Sequence, residues 1–320
     1  MTVSSANALV VVTPVYEDVE ASSRLFRELA GVFPGGVFVV AVDDGSIAQP
    51  VEAESIAAAG LDGWVVRLKR NVGHQRAIAI GLCYVAEHLP DAGRVVVMDS
   101  DGEDMPSSIP ALLGPLEAGK VDVAVAQRRS RIETLRFRAF YAVYKWLFRL
   151  LSGREIKFGN FMAFTPGAVR RLVTMHELGI HVASCVLTSK LRLAACPLDR
   201  GARYAGKSKM NFVSLALHGF RGLTVFAEDV LVRVGIACAS VATLAVTGSA
   251  AAVVLKLLSF ATPGWFSIAL GILFLVFLQT GTLTLTTLML TGVVRHGSLV
   301  PIDHQQFIDR VLHVQGTRAD

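Results

Sequence analysis

Two carboxylates stand two positions apart directly after a strongly apolar stretch of the chain. Asp99 and Asp101 follow the run 94–98, which has the character of a buried strand. Carboxylates at this spacing in a loop can hold one divalent cation such as Mg²⁺ or Mn²⁺, and that cation can bridge phosphate oxygens. Glu103 is a candidate third ligand. Because surface turns often share this pattern, its interpretation depends on the surrounding elements.

Apolar runs alternate with helical stretches through the first 127 residues. The predicted strands are 8–13, 37–42, 64–68, 94–98 and 121–126, and the predicted helices lie near 18–32, 50–60, 73–88 and 107–118. Strand–helix alternation at this spacing predicts an α/β fold with a doubly wound, mostly parallel, Rossmann-like sheet. Ligands bind such sheets at the carboxyl ends of the strands.

Polar and acidic residues follow the predicted strands and are expected to meet along one rim of the sheet. The residues at this rim are Pro14, Tyr16, Glu17, Asp43, Asp44, Asn71, Gly73, Asp99 and Asp101. No G-x-G-x-x-G follows the first strand, so a dinucleotide site has no support from the sequence. The P-loop expression at 201–208 lacks a later strand ending in Asp, so a nucleotide triphosphatase is also disfavoured.

Two uncharged stretches near the carboxyl terminus predict a transmembrane hairpin. Hydrophobic residues make up 52% of the chain and charged residues 18%. The spans are 234–256 and 265–293, separated at Pro263-Gly264, and each is long enough to cross a bilayer. Arg233 and Arg295 flank the hairpin, so the positive-inside rule places both termini in the cytoplasm. The predicted domains are therefore 1–229, the hairpin 230–295 and a short tail 296–320, in a multi-pass protein of the inner (plasma) membrane.

Charge is distributed unevenly along the part that precedes the hairpin. Residues 1–127 contain about twice as many acidic as basic residues, whereas 128–233 are strongly basic. The stretch 131–152 interleaves Arg and Lys with aromatic residues, which is typical of a helix at the lipid interface. A second interfacial helix is predicted near 211–228. Nucleic-acid binding could use a similar composition, but the two spans that follow favour a membrane surface.

Several motifs together resemble the family-2 glycosyltransferases with the GT-A fold. TPVYED at 13–18 is similar to the family's P-x-Y-N-E, VDDGS at 42–46 to its V-D-D-G-S, and RNVGHQRAI at 70–78 to its N-x-G-x-x-x-A. MDSDGEDMP at 98–106 and ARYAGKSKMNF at 202–212 resemble D-x-D-x-Q-D-x-P and R-x-x-G-x-S-K-[YM] of the polyprenyl-phosphate glycosyltransferases, which include dolichol-phosphate mannose synthase. Two membrane spans after the catalytic domain also fit bacterial members of this subgroup.

The resemblance implies an inverting enzyme that moves one sugar from a nucleotide-diphosphate sugar to polyprenyl (undecaprenyl-type) phosphate, for later modification of cell-envelope glycans. Tyr16 is expected to contact the base, and Asp43 and Asp44 to accept hydrogen bonds from base and ribose. The other residues expected to bind the nucleotide sugar are Pro14, Glu17, Asn71, Gly73 and Asp99. Asp99 and Asp101 would hold the metal beside the diphosphate. The candidates for binding the acceptor phosphate are Arg128, Arg131, Arg203 and Lys209. The subgroup also implies a homo-oligomer, such as a tetramer.

Three positions depart from the family pattern. Glu17 stands where Asn is expected, Glu103 where Gln is expected, and Asn160 where many relatives have Asp in G-D-F. The Q-x-x-R-W string of processive polysaccharide synthases is absent, which favours single-sugar transfer. Two alternatives stay open at the level of sequence: another lipid acceptor, such as diacylglycerol or ceramide, and an inactive membrane scaffold that keeps the fold.

Overall fold

The computed structural model describes residues 9–128, 135–204, 212–260, 264–297 and 303–316, which fall into two compact units. The sheet unit comprises the described residues of Met1–Thr134, Ile156–Val225 and Val300–Asp320. The helical unit comprises Leu135–Glu155 and the described part of Phe226–Leu299. These units do not coincide with the predicted domains, because the stretch after the hairpin belongs to the sheet unit and the first predicted interfacial helix belongs to the helical unit.

The described part of the sheet unit is built on one mixed sheet with the strand order β7-β5-β6-β4-β1-β2-β3-β8. Its strands are β1 Leu9–Val15, β2 Phe38–Asp43, β3 Asp62–Leu68, β4 Arg94–Val97, β5 Val123–Arg128, β6 Met162–Phe164, β7 Leu193–Leu198 and β8 Ile308–Val314. The four central strands β4, β1, β2 and β3 are parallel to one another. At one end of the sheet, β5 is parallel to β7. β6 lies antiparallel between β4 and β5. The predicted α/β sheet is confirmed.

Helices cover both faces of this sheet. They are α1 Val19–Val32, α2 Ala53–Ala57, α3 His74–His88, α4 Ile109–Glu117, α6 Pro166–Leu172 and α7 Val182–Thr188. The sheet unit also contains α8 Phe212–Thr224. Val10 and Val12 of β1 belong to the core beneath α3, whereas Val11 and Val15 belong to the opposite core, against α1. Since both faces of each central strand are buried, these strands consist of continuous apolar runs.

The carboxyl-terminal segment forms a strand of the sheet, so the prediction of a simple tail over 296–320 was incomplete. β8 pairs antiparallel with β3, with Trp64 opposite His313 and Val66 opposite Val311. The chain therefore leaves the sheet unit for the long helices and then returns to the edge of the same sheet. Asp309 and Arg310 interrupt the apolar pattern of β8, which is why the pattern alone did not predict a strand.

Two of the helices in the helical unit are long and apolar enough to span a membrane. The unit contains α5 Leu135–Ser152, α9 Ala227–Leu257 and α10 Trp265–Gly297, and the candidate spans are Ala227–Leu257 and Trp265–Thr291. α9 and α10 approach closely where small residues lie between them. A Cβ built on Gly235 would stand 3.1 Å from Thr287 Oγ1, and Ala245 and Ala252 are buried. Small residues at helix contacts are typical of membrane helix pairs.

Candidate active site

Four parallel strands end at one edge of the sheet and present their loops together. β1 ends at Val15, β2 at Asp43, β3 at Leu68 and β4 at Val97. The loops after β2 and β3 touch at Gly45, where a Cβ would lie 2.4 Å from the carbonyl carbon of Arg70. Gly45 also has φ +71°, so two constraints select glycine there. The predicted rim is thus assembled from segments far apart in sequence.

Glu17 fastens the loop after β1 to the loop after β2. It adopts φ +47°, a strained value for a residue with a side chain, and its N–H donates to Ser46 Oγ at 2.9 Å. Its carboxylate accepts from the amides of Ile47 at 2.6 Å and Gln49 at 2.7 Å, and from Ala48 between them. The acidic departure from the family pattern therefore serves to shape a loop of the candidate donor pocket.

Replacing Glu17 with Ala is expected to raise the KM for the nucleotide sugar about 10-fold, because charge-assisted hydrogen bonds that order the loop are lost. The KM for the acceptor should change little. The measurement is steady-state kinetics with each substrate varied in turn. Glu20→Ala, an exposed substitution on α1, is the matched control and should behave as wild type. An unchanged donor KM in the Glu17 variant would show that the loop does not contribute to donor binding.

The two aspartates after β2 are buried and hold loop backbone. Asp43 is fully buried, accepts from the amides of Ser46 at 2.9 Å and Val51 at 3.0 Å, and lies 3.6 Å from Arg67 Nε. Asp44 accepts from the amides of residues 72 and 73 at 2.7 and 3.0 Å. Burial raises the pKa of Asp44 although these hydrogen bonds oppose it. Both carboxylates therefore order the loops of the rim, and their predicted contacts with base and ribose stay a prediction.

The other predicted donor-site residues differ in exposure. Pro14 is buried, and its carbonyl accepts from Ser100 Oγ at 3.2 Å, which joins β1 to the loop after β4. Tyr16 is 45% exposed at the end of β1, so an aromatic face is accessible at the rim. Asn71 is exposed in the loop after β3, and the amide of Gly73 is held by Asp44.

Asp99 and Asp101 lie close enough to affect each other's ionisation. Burial, and then the charge of Asp99, raise the pKa of Asp101, against the lowering effect of Arg203, Arg200 and His74. Asp101 Oδ1 accepts from the amide of Glu103 at 3.0 Å, which gives the loop its turn. Two half-buried, mutually repelling carboxylates form an oxygen donor set that a hard divalent cation would stabilise. The residues present therefore fit a Mg²⁺ or Mn²⁺ ion held by this pair.

Glu103 does not join that pair, and the prediction of a third carboxylate ligand is corrected. Within the described ranges, no group of three or more His, Cys, Asp or Glu side chains is placed to hold a metal ion. Glu103 instead forms an ion pair with Arg200 and lies 3.4 Å from Arg203 Nη2. Its charge balances two guanidinium groups, which a neutral Gln at this position would do less well.

Basic residues approach the carboxylates from a segment that follows β7. Arg203 Nη2 lies 2.8 Å from Asp101 Oδ2, so the structure brings this arginine to the acidic pair. The sequence analysis did not predict a role for Arg200, which lies on the same segment and pairs with Glu103. Its position three residues before Arg203 could have indicated a second basic residue at this site. Arg128 is the last residue of β5, and the description does not extend to its side chain. Arg131 and Lys209 lie outside the described residues.

A histidine and two amides connect Asp99 to the core. His74 Nε2 lies 3.2 Å from Asp99 Oδ1 and 3.0 Å from Asn160 Nδ2. Asn160 Oδ1 accepts from Gln75 Nε2 at 3.1 Å, and Gln75 Oε1 accepts from the amide of Val182 at 2.8 Å. Burial lowers the pKa of His74, but the nearby carboxylates outweigh it and the net pKa is raised. The neutral residue at position 160 is thus held beside the acidic pair by a continuous polar chain.

The chain is similar in sequence to several bacterial proteins that carry out, or are named for, sugar transfer. The undecaprenyl-phosphate 4-deoxy-4-formamido-L-arabinose transferase of Shewanella sediminis is 26% identical over 211 residues, covering 64% of this chain and 62% of that enzyme, less than two thirds of its length. The dodecaprenyl-phosphate galacturonate synthase of Rhizobium johnstonii is 28% identical over 151 residues, covering 46% and 42%. The uncharacterized glycosyltransferase YkoT of Bacillus subtilis is 25% identical, covering 86% and 84%.

Solved structures match the fold. The glucosyl-3-phosphoglycerate synthase of Mycobacterium tuberculosis, in complex with Mn²⁺, UDP-glucose and phosphoglyceric acid, superposes with a TM-score of 0.52 at 16% identity, covering 70% of this chain and 79% of that one. The same enzyme with Mn²⁺, UDP and phosphoglyceric acid gives a TM-score of 0.53, covering 70% and 78%. These neighbours share the GT-A arrangement and contain a divalent metal.

A protein-family model matches the part of the chain that contains most of the predicted motifs. It is described as glycosyl transferase family 2 and matches residues 10–177, which is more than half of the chain and runs from β1 through the acidic pair to the segment after α6. The resemblance inferred from the motifs is thereby confirmed, and the roles of the rim residues stay a prediction. The chain belongs to glycosyl transferase family 2.

Proposed function

We propose that this protein is a membrane-anchored, metal-dependent, inverting glycosyltransferase that moves one sugar from a nucleotide-diphosphate sugar to polyprenyl phosphate. The observation that carries the proposal is the meeting of the Asp99–Asp101 pair with Arg203 at one rim of the sheet. An acidic pair suits a cation and its diphosphate, and a neighbouring guanidinium suits a second phosphate. The segment that bears Arg203 is followed in sequence by the two candidate membrane helices.

The donor side of the site would use the loops after β1, β2 and β4. Asp99 and Asp101 would hold a divalent cation, which when bound neutralises the charge that builds on the diphosphate leaving group. Tyr16 offers its exposed aromatic face to the base. Asp43, Asp44 and Glu17 keep the surrounding loops in place through their bonds to backbone amides. The Mn²⁺ complexes of the structural neighbours support this use of metal.

The acceptor side follows from the chemistry of a lipid monophosphate. Its oxygen is already anionic near neutral pH, because the second pKa of a phosphate monoester is about 6. That oxygen attacks the anomeric carbon and forms the new C–O bond, while the bond to the nucleoside diphosphate breaks and the diphosphate leaves with the electron pair. No proton has to be removed from the nucleophile. Arg203 would orient the phosphate and offset its charge.

The neutral side chain at position 160 favours a phosphate acceptor over a hydroxyl acceptor. A diacylglycerol or ceramide hydroxyl would need a general base near the reacting carbon. Asn160 is an amide held by Gln75 and His74, and it cannot take up a proton at neutral pH. The polyprenyl-phosphate enzymes among the relatives support the same choice.

A substrate screen tests the proposal. Purified full-length protein in detergent would be incubated with Mg²⁺ or Mn²⁺, undecaprenyl phosphate and a panel of nucleotide sugars, and nucleoside diphosphate release would be measured. We expect release with at least one donor, dependent on both metal and lipid phosphate. Equal release with diacylglycerol or ceramide in place of the lipid phosphate would favour the other acceptor class. Absence of release from any donor would favour the inactive scaffold.

We further propose that both ends of the helical hairpin face the cytoplasm. The pairing of β8 with β3 supports a common side for the two ends, because strands of one sheet cannot lie on opposite sides of a bilayer. Arg233 stands in the second turn of α9 and Arg295 in the last turn of α10, at the ends proposed to face the cytoplasm, whereas Lys256, in the last turn of α9, is the one charged residue near the connection between the helices.

A cysteine introduced at position 320 should resist labelling by a membrane-impermeant thiol reagent applied to intact cells, because the terminus lies inside. Phe260→Cys, in the connection between the two helices, is the matched control and should label. The unmodified protein, which has four cysteines, gives the background. Labelling of the Asp320→Cys variant from outside would contradict the proposed topology.

A further inference from the structure

The segment 200–204 lies alongside the loop that contains the acidic pair. The amide of Gly201 donates to the carbonyl of Glu103 at 3.0 Å, and the amide of Tyr204 donates to the carbonyl of Asp101 at 2.8 Å. These two backbone bonds join chain segments about a hundred positions apart. They also bracket Arg203, whose guanidinium reaches back to Asp101.

The ring of Tyr204 covers the one glycine inside that loop. Gly102 has φ +88°, and a Cβ built on it would stand 2.6 Å from Tyr204 Cδ1. Glycine is therefore required both by the backbone conformation and by the ring above it. The ring packs on the backbone between Asp101 and Glu103, so its position and that of the acidic loop depend on each other.

Helix α1 anchors the same ring from the other side. The hydroxyl of Tyr204 donates to Glu28 Oε2 at 2.5 Å, and the guanidinium of Arg24 lies 4.3 Å from the ring centroid. Arg24 and Glu28 are one helical turn apart and pair with each other at 3.1 Å. Burial and the adjacent Glu28 raise the pKa of Tyr204, so the phenol stays protonated and remains a donor. Backbone, ring and hydroxyl thus hold this residue at three points.

We propose that Tyr204 is a positioning residue that sets the place of Arg203 at the acidic pair. The inference rests on the proposed function, because Arg203 is the group we assign to the acceptor phosphate. An arginine side chain has several free rotations, and fixing the adjacent backbone reduces the entropy lost when its guanidinium binds phosphate. Through its contacts with Tyr204, α1 would therefore determine where this guanidinium stands.

The test compares variants of Tyr204 and of its anchor on α1. Tyr204→Ala removes ring and hydroxyl, and we expect the KM for polyprenyl phosphate to rise about 10-fold while the donor KM stays within about twofold. Tyr204→Phe keeps the ring and should restore most of the affinity. Glu28→Ala keeps the tyrosine residue but removes the acceptor of its hydroxyl, and we expect a smaller rise in the acceptor KM than in Tyr204→Ala. Glu20→Ala on the same helix is its control. Thermal melting would verify that each variant is folded.

A double variant separates positioning from a general structural role. If Tyr204 acts through Arg203, the Arg203→Ala/Tyr204→Ala protein should be no worse than Arg203→Ala alone, within about twofold. Losses that multiply would overturn the proposal, as would a wild-type acceptor KM in Tyr204→Ala or an equal rise in both KM values.

Hydrogen exchange keeps the inference testable if the proposed function fails. Should wild type transfer no sugar to polyprenyl phosphate, that result refutes the acceptor assignment, and exchange at the amides of Gly201 and Tyr204 then decides the inference. These amides should exchange slowly in wild type and at least about 10-fold faster in Glu28→Ala, since the anchor no longer holds the segment. Unchanged exchange would show that α1 does not position it.

Discussion

Asp101→Asn is expected to abolish nearly all sugar transfer while the protein stays folded. The substitution is nearly isosteric but removes one of the two charged oxygen ligands proposed for the cation. Loss of such a ligand costs several kcal/mol of transition-state stabilisation, so the rate should fall about 100-fold or more. Removing the charge also relieves repulsion with Asp99 and burial of an ion, which is why the fold should survive. Initial rates at saturating metal and a thermal melt would measure both effects.

Glu103→Gln provides the matched control for that experiment. Glu103 is two residues further along the same loop and shares Arg203 with Asp101, but it stands outside the proposed ligand pair. We expect its rate to stay within about fivefold of wild type, because the substitution removes two partly exposed ion pairs, with Arg200 and Arg203, and no proposed metal ligand. Wild-type rates in Asp101→Asn, or full activity of the native protein in excess EDTA, would refute the metal assignment.

Arg203→Ala should weaken use of the lipid acceptor about 10- to 100-fold, seen as a higher KM for polyprenyl phosphate or a lower kcat, with donor affinity nearly unchanged. The reason is that the variant loses the proposed charged hydrogen bond from the half-buried Arg203 guanidinium to the acceptor phosphate. Steady-state kinetics in detergent with each substrate varied would provide the numbers. Arg27→Ala, an exposed arginine on α1, is the control and should have no effect.

The same experiment discriminates between two further roles for this arginine. If Arg203 only holds the segment against anionic lipid, activity in detergent should be near normal and only membrane association should weaken. If the donor affinity falls instead, the guanidinium closes over the nucleotide diphosphate. Either result would contradict the acceptor assignment. A loss of donor affinity would fit the contact between Arg203 and Asp101, because Asp101 stands on the proposed donor side of the site.

Prediction from sequence succeeded for the central strands because burial on both faces leaves a strong local signal. β1 to β5 were all expected near their observed positions, since each contains a run of three or more consecutive apolar residues. β6 is only three residues long, and β7 contains Pro197 and half-exposed positions, so neither has a pattern that stands out. β8 becomes a strand only because the edge of β3 is available to it after the hairpin.

The site was predictable in its composition but not in its contacts. Motif spacing placed Asp99 and Asp101 at one rim and named Arg203 as a candidate for binding phosphate, and the structure brings Arg203 to Asp101. It did not reveal that Glu17 closes on the amides of 47–49, because that contact depends on how two loops pack. For the same reason the partnership of Tyr204 with Glu28, which are 176 positions apart, has no local signal.

The most direct test of the account is the mass of the lipid product. Purified full-length protein would be given undecaprenyl phosphate, a divalent metal and the nucleotide sugar chosen by the screen, and the extracted lipid would be analysed by mass spectrometry. The account predicts a lipid heavier by one sugar residue that still contains a single phosphate, with one nucleoside diphosphate released per lipid modified. A product with a second phosphate, a chain of several sugars, or hydrolysed donor with unmodified lipid would contradict it.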